Sequence, residues 1–342
     1  MKKNQTKPLL YLLLTVLNLS TLFANENSNE KTIHIQVPQV ISVPQVNVKI
    51  IQPINIQTKN ENVIGQDTKT MNRRIGFSKR TPPSYITKNV STHQEKVSTF
   101  FRQDALPVET IKDRLQKNGF EILAKYKIDK KGSVVSIVFT DANITTQASQ
   151  KDRGFASSLR VLVNEKNHTM SITNPLYIMK AFMQDKYDEK VARNVVNKLH
   201  KAFDGLKKSE DSVKFSKLDH YRFMDNMPYY KDMEVVASRS NNELIESARR
   251  SKNIIYEQKL SNGSIIIGVK LSRRTSKFVK KIGYQNAGLL PYPILIEGNK
   301  ARILSPQYYI ALMYPMLNMT QFMSIASIPG AIVKDCTRIF KK

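Results

Sequence analysis

Few side chains in this 342-residue chain have both the type and the spacing that chemistry requires. Met313, Met316 and Met319, with Met323 beyond them, set thioethers at three-residue steps on or near a helix, and clustered soft ligands of this kind can hold Cu(I). Methionine is also a flexible apolar filler, so Tyr308, Tyr309, Leu312, Met316 and Met319 read equally well as lining a core or a hydrophobic groove. The single cysteine, Cys336, lies in Lys334-Asp335-Cys336-Thr337-Arg338, where flanking cations favour a thiolate. A thiol redox role needs a resolving partner that the sequence lacks, so the plainer reading is a packed or incidental cysteine. His34, His93, His168, His200 and His220 fall in separate segments, none at His-x-x-x-His spacing. Gly283 and Gly288 stand alone, without a phosphate-cradling glycine loop. An enzyme would need a buried titratable group in a cleft, and Asp152 and Glu297 are the candidates. On balance the residues suggest a protein that binds rather than catalyses, with no cofactor.

Charge narrows the partners. The chain carries 54 Lys plus Arg against 28 Asp plus Glu, a formal net charge of +26. Residues 106–204 hold 17 basic and 11 acidic side chains, whereas residues 238–342 hold 17 and only 5. The excess concentrates in Arg273, Arg274, Lys277, Lys280 and Lys281, whose spacing puts much of it on one helical face or one loop. Such a face would ordinarily suggest nucleic acid. The N-terminus points elsewhere: Met1-Lys2-Lys3 and Lys7, the apolar run Leu9 to Phe23, and Ala24-Asn25 read as a secretory signal peptide over residues 1–24. Leu22, where a small residue is usual, keeps an uncleaved anchor open as a second membrane contact, and no cysteine follows the apolar run to make a lipoprotein. In the periplasm the basic face would meet an anionic envelope component, such as lipid headgroups or acidic polymers, or an acidic protein. A merely solvated basic surface is the plain alternative.

Behind these residues stands a scaffold written twice. Leu159-Arg160-Val161-Leu162-Val163 through Asn174-Pro175-Leu176-Tyr177 returns as Tyr292-Pro293-Ile294-Leu295-Ile296 through Ser305-Pro306-Gln307-Tyr308, and Gly132-Ser133-Val134-Val135 returns as Gly263-Ser264-Ile265-Ile266. The expectation is an α+β protein of two tandem similar domains in the order helix, β-hairpin, β-hairpin, helix, related by a pseudo-twofold axis. Domain one spans 97–204 and domain two 238–342, joined by a charge-balanced linker, 205–237, too aromatic to be free. Residues 25–96, polar and repeating Val37-Pro38-Gln39-Val40 as Val43-Pro44-Gln45-Val46, suggest a disordered tether with one edge strand at most. Alternation predicts strands at Phe120 to Lys127 and Ser133 to Phe139, and Asn174-Pro175 and Ser305-Pro306 each predict an N-cap with proline at the first helical position.

The run Arg160-Val161-Leu162-Val163, a polar turn, a second strand, and then Asn174-Pro175-Leu176-Tyr177 opening a helix resembles the small α+β family known as domain of unknown function 302. Ile294-Leu295-Ile296 with Ser305-Pro306-Gln307-Tyr308 matches it more loosely, with Pro293 in place of the arginine. The resemblance implies the fold and carries no activity. Between the two copies, a groove lined by the helices after Pro175 and Pro306 is the expected ligand site. Its candidate residues are Arg160 as an anion contact, with Asn174, Tyr177, Met179, Tyr308, Tyr309 and Met313.

Overall fold

A computed structural model describes residues 95–341. The signal-peptide and tether expectations, with the Pro-Gln-Val repeats, His34 and His93, therefore lie outside the described residues.

The first half contains β1 (Lys96–Ser98), β2 (Phe100–Asp104), α1 (Val108–Lys117), β3 (Glu121–Lys127), β4 (Val134–Thr140), α2 (Ala142–Ala148), β5 (Leu159–Asn164), β6 (Thr169–Thr173), α3 (Pro175–Met183) and α4 (Glu189–Ala202). Two short strands follow, β7 (Lys207–Lys208) and β8 (Ser212–Lys214). The second half contains β9 (Glu234–Ser238), α5 (Asn241–Arg250), β10 (Ile254–Lys259), β11 (Ile265–Val269), α6 (Phe278–Ile282), β12 (Tyr292–Glu297), β13 (Lys300–Ile303), α7 (Pro306–Met313), α8 (Met319–Ser324) and α9 (Ile328–Arg338). The architecture is mixed α and β, built on a six-stranded sheet ordered β3-β4-β5-β6-β2-β7 and a five-stranded sheet ordered β10-β11-β12-β13-β9. Apart from the short β7, the two orders correspond strand for strand, and every pairing is antiparallel.

Each half begins one strand earlier than the sequence suggests. β2 and β9 are short and of mixed composition, FFRQD and EVVAS, and become strands by pairing with the distant β6 and β13. The second half consequently starts at Glu234, inside the stretch read as linker. The repeat alignment also slips in the first hairpin: Val135 lies opposite Val163, whereas Ile266 lies opposite Leu295, the counterpart of Leu162. Two residues that the sequence echo matches thus face opposite sides of their sheets, because the first hairpin loop is longer. Asn174 caps α3 as expected, its Oδ1 accepting from Leu176 N at 3.1 Å. Ser305 makes no such bond; its hydroxyl donates to Gln307 Oε1 at 2.8 Å.

The inserts between the second and third sheet strands of each half reach across to the other. The 3-10 turn Gly154–Ser157 packs on β11 and β12, and the 3-10 turn Tyr284–Leu289 packs on β5 and β6. Gly154 permits this approach: a Cβ there would lie 2.7 Å from Leu295 Cδ1. Helices α3 and α7 meet in the shared core, where the Tyr177 hydroxyl donates to Leu312 O at 2.7 Å and the Tyr308 hydroxyl to Ala181 O at 3.4 Å. The linker packs as well, with Tyr221 donating to Ala311 O and the Tyr230 ring against Phe155, Phe182 and Tyr308.

Candidate functional site

The expected groove between α3 and α7 is closed. Tyr177, Met179, Tyr308, Tyr309 and Met313 are all at most 1% exposed and belong to one continuous apolar core. The apolar sequence of both helices on nearly every side, PLYIMKAFM and PQYYIALM, explains this, because a helix without a polar face is buried all round. Asn174 is occupied by its cap and by donating to Ser98 O at 2.8 Å.

Arg160 is likewise no surface anion contact. It is 4% exposed, with Nη1 on Ser158 O (3.0 Å) and Ser158 Oγ (3.2 Å), and Nη2 on the hydroxyl of Tyr256 (3.2 Å). Every partner is neutral, no ion pair among the described residues includes it, and its Nε is buried without a partner. On the same network Ser157 donates to Gln258 Oε1 at 2.7 Å, and Gln258 donates to Thr140 Oγ1 at 3.3 Å. Arg160 therefore joins the halves from inside.

The thioethers part company where α7 ends. Met313 is buried, while Met316, Met319 and Met323 are 70%, 45% and 60% exposed, since the chain breaks at Pro315 between α7 and α8. Met313 thus faces a different environment from the other two candidate copper ligands. Cys336 is fully buried on α9, and burial pushes its thiol well above the ordinary cysteine range, so the flanking cations do not make it reactive. No group of three or more His, Cys, Asp or Glu placed to hold a metal occurs among the described residues.

Asp152 and Glu297 do come together, 145 residues apart in sequence. Glu297 Oε2 accepts from Asp152 N at 2.9 Å, and Arg302 bridges them, Nη1 to Asp152 Oδ1 at 2.5 Å and Nη2 to Glu297 Oε2 at 3.0 Å. Burial raises both carboxyls; beside Asp152 the Arg302 guanidinium outweighs it and holds that carboxyl below its ordinary value, whereas Glu297 stays above. The pair lines neither described cavity, and Arg302 bridges both carboxylates, which fits an interdomain clamp rather than an acid-base site.

Among the described residues, clefts open between the halves in at least two places. The smaller, about 310 Å³, is walled by Glu121, Leu123, Thr145, Thr146 and Ser149 from one half and by Glu257 to Ser261 from the other. The larger, about 580 Å³, has a built polar floor. Arg102 is placed there by β2, between Ser171 of β6 and Lys207 of β7. Asp211 sits on the loop after β7, fixed by Thr99 N donating to its carbonyl (2.9 Å) and by Ser209, whose hydroxyl donates to that same carbonyl (3.2 Å) and accepts from Phe100 N (3.2 Å). Asn286 arrives from the other half on the Tyr284–Leu289 turn. Arg102 Nη2 donates to Asp211 Oδ1 (3.0 Å) and Asn286 Oδ1 (2.7 Å), while Asn286 Nδ2 donates to Asp211 Oδ2 (2.7 Å) and Met313 O (2.8 Å). The closed ring of contacts fixes the amide orientation.

The walls above this floor differ in kind. Lys208 and Glu210 come from the first half, Ile282, Met316 and Leu317 from the second, with Gln285 and Gln321 completing the lining and Tyr314 anchored to Gly283 O at 2.8 Å. One side is charged and the other apolar. Asp211 is committed to Arg102 and Asn286, and the lining holds no cysteine or serine-histidine pair, with Glu210 as its second acid. What the arrangement can do is hold a ligand with a polar end and an apolar body. No local signal marks this trio, whose members are 75 to 184 residues apart.

No protein-family model matches the chain, and no curated protein or solved structure matches it either.

Proposed function

We propose that this chain is an exported, non-enzymatic binding or scaffold protein of the cell envelope, formed by two α+β units duplicated in tandem and related by a pseudo-twofold axis. Its ligand would occupy the larger cleft between the units. The reciprocal tyrosine bonds support the symmetry: the donors Tyr177 and Tyr308 and the acceptors Ala181 and Leu312 are each 131 residues apart. The matching strand orders support the duplication, and each unit is then of the kind that the Arg160-Val161-Leu162-Val163 and Asn174-Pro175 motif resembles. The basic N-terminal residues and apolar run support export.

The observation that carries the binding reading is the Arg102-Asp211-Asn286 floor, a partly buried polar cluster shared by both units beneath an amphipathic cleft of about 580 Å³. A small envelope amphiphile, with its polar end toward Arg102 and Lys208 and its apolar body toward Ile282, Met316 and Leu317, suits those walls. Native mass spectrometry of protein purified from its own envelope tests this. The expected result is a bound small molecule that disappears in Arg102→Ala while the variant stays folded. A ligand retained in Arg102→Ala and in Leu317→Asp, or none in the unaltered protein, would sink the reading.

A further inference from the structure

The second half carries a face that is basic and apolar at once. The turn Thr275–Lys277 leads directly into α6, and Arg273, Arg274, Lys277, Lys280 and Lys281 are all exposed there. None of the five forms an ion pair with a carboxylate, although 17 ion pairs occur among the described residues. The reason lies in the sequence: no acidic residue occurs between Glu257 and Glu297, nor between Glu297 and Asp335. The carboxylate that does approach this segment, Asp335, accepts from Ser272 N at 2.9 Å and is itself paired with Arg338, so the five cations keep their charge.

Helix α8 packs beside α6, and Lys281 Nζ reaches Ser324 O at 3.2 Å. Around α8 stand Met316, Met319 and Met323, three of the five large hydrophobic side chains exposed among the described residues. They are unbranched and project beyond a short helix whose buried anchor is Phe322, stacked on Phe223 at 5.0 Å. A solvated basic surface has no use for flexible apolar side chains held in water beside it. An anionic bilayer has use for both: cations for its headgroups, and thioether side chains for the boundary between headgroups and acyl chains.

We propose that the face formed by α6, α8 and the turn before α6 docks on an anionic phospholipid membrane, with Lys277, Lys280 and Lys281 at headgroup level and Met316, Met319 and Met323 in the interface. No helix among the described residues is long and apolar enough to cross a membrane, so the contact lies on the surface. Met316 and Ile282 also line the larger cleft, whereas Met319 and Met323 do not, so the docking is tested at Met323.

The buried Cys336 makes the test specific to one place. In Met323→Cys the introduced thiol is exposed while the native one is not, so an environment-sensitive fluorophore attaches to α8 alone. A second full-length chain is labelled through Lys130→Cys, in the exposed loop between β3 and β4. Both are mixed with vesicles of phosphatidylcholine alone, and with vesicles in which about a third of the lipid is phosphatidylglycerol. The expected result is a blue shift at position 323 with the phosphatidylglycerol vesicles only, no shift at position 130, and binding at position 323 weakened about tenfold or more by Lys277→Gln, Lys280→Gln and Lys281→Gln together. Salt near 0.5 M should weaken it as well, since the Debye length then falls to a few ångströms. No shift at position 323, an equal shift at both positions, or a shift indifferent to the three lysines would overturn the proposal. A shift produced by an acidic polypeptide or a nucleic acid but not by the vesicles would overturn it in favour of that partner.

Discussion

The two sheets share a strand order and differ in the layer each shows to the other half. On the first sheet, the face under the Tyr284–Leu289 turn presents Ser136, Arg160, Ser171 and Thr173 interleaved with Val138, Leu162 and Phe100, with Arg102 farther along. On the second, the face under the Gly154–Ser157 turn presents Ile266, Gly268, Pro293 and Leu295 at its centre. The polar face leaves Ser136 Oγ, Arg160 Nε and Arg102 Nε buried without partners, and the second face, among the described residues, leaves only Arg302 Nε so, at its β13 side; the apolar centre closes tightly enough that the Tyr256 ring lies directly over Gly268. Burying unpaired polar atoms costs free energy that an apolar layer avoids. The scaffold is therefore repeated while the layer between its halves is not, and the polar layer is the side that leads to the Arg102-Asp211-Asn286 cleft.

Five substitutions would break or sharpen this contrast, the largest effect first. At Gly268 a Cβ would lie 2.0 Å from Tyr256 Cε1, so Gly268→Ala must displace an aromatic ring in a packed layer. The expected loss is about 3 kcal/mol in urea unfolding, together with loss of the Tyr256 contact to Arg160. A loss below about 0.5 kcal/mol, the usual range for surface changes, would show that the apolar layer is looser than the contrast requires.

Next come the two arginines, one paired and one not. Arg302→Met removes the cation between Asp152 and Glu297 and should cost about 2 kcal/mol near neutral pH, less than a fully buried pair because all three groups keep some exposure. Arg160→Met removes a buried charge that has no carboxylate and should be neutral to within about 1 kcal/mol, or stabilising. Acid distinguishes them. Asp152, held below its ordinary 3.8 by Arg302 despite burial, contributes stability that is present above that value and is lost as pH falls through its lowered one. Glu297, raised mainly by burial, favours folding below its ordinary 4.5 and loses that contribution as pH rises through its raised value. The Arg302→Met penalty should accordingly shrink in unfolding curves taken below pH 3.8, while the small Arg160→Met effect should hold steady. Equal penalties at pH 7 would erase the distinction between the layers.

The smallest effects test what the halves have in common. Tyr177→Phe leaves Leu312 O without its 2.7 Å donor, and Tyr308→Phe leaves Ala181 O without one at 3.4 Å. Each should cost about 1 kcal/mol, Tyr177 somewhat more because its bond is shorter, measured as shifts in the midpoint of thermal unfolding. A markedly larger cost at Tyr308 would mean that the two bonds are not counterparts.

Much of the scaffold was legible because its signals are local. The alternation in β3 and β4, Asn174 as a cap with Pro175 behind it, and the amphipathic spacing of α4 each declare themselves within a few residues. β2 and β9 were not legible, since five mixed residues become a strand only when a distant partner is present. The α3-α7 groove failed for a related reason: a sequence apolar on all sides marks burial but does not say whether a cleft or a core does the burying. The cleft trio left no pattern at all, because Arg102, Asp211 and Asn286 meet only after both halves have formed. The exposed lysines of α6 were legible from spacing, yet their alliance with Met319 and Met323 depends on how α8 docks.

The crossed turns carry one more consequence. Gly154–Ser157 completes the packing of the second sheet and Tyr284–Leu289 that of the first, so each half supplies part of the other's interior. Neither half then has a finished core of its own, and the described residues form a single cooperative unit in which loosening one sheet loosens both. An event at the cleft, which Asn286 of that same turn helps to floor, would be felt in the stability of the far sheet without any hinge to carry it.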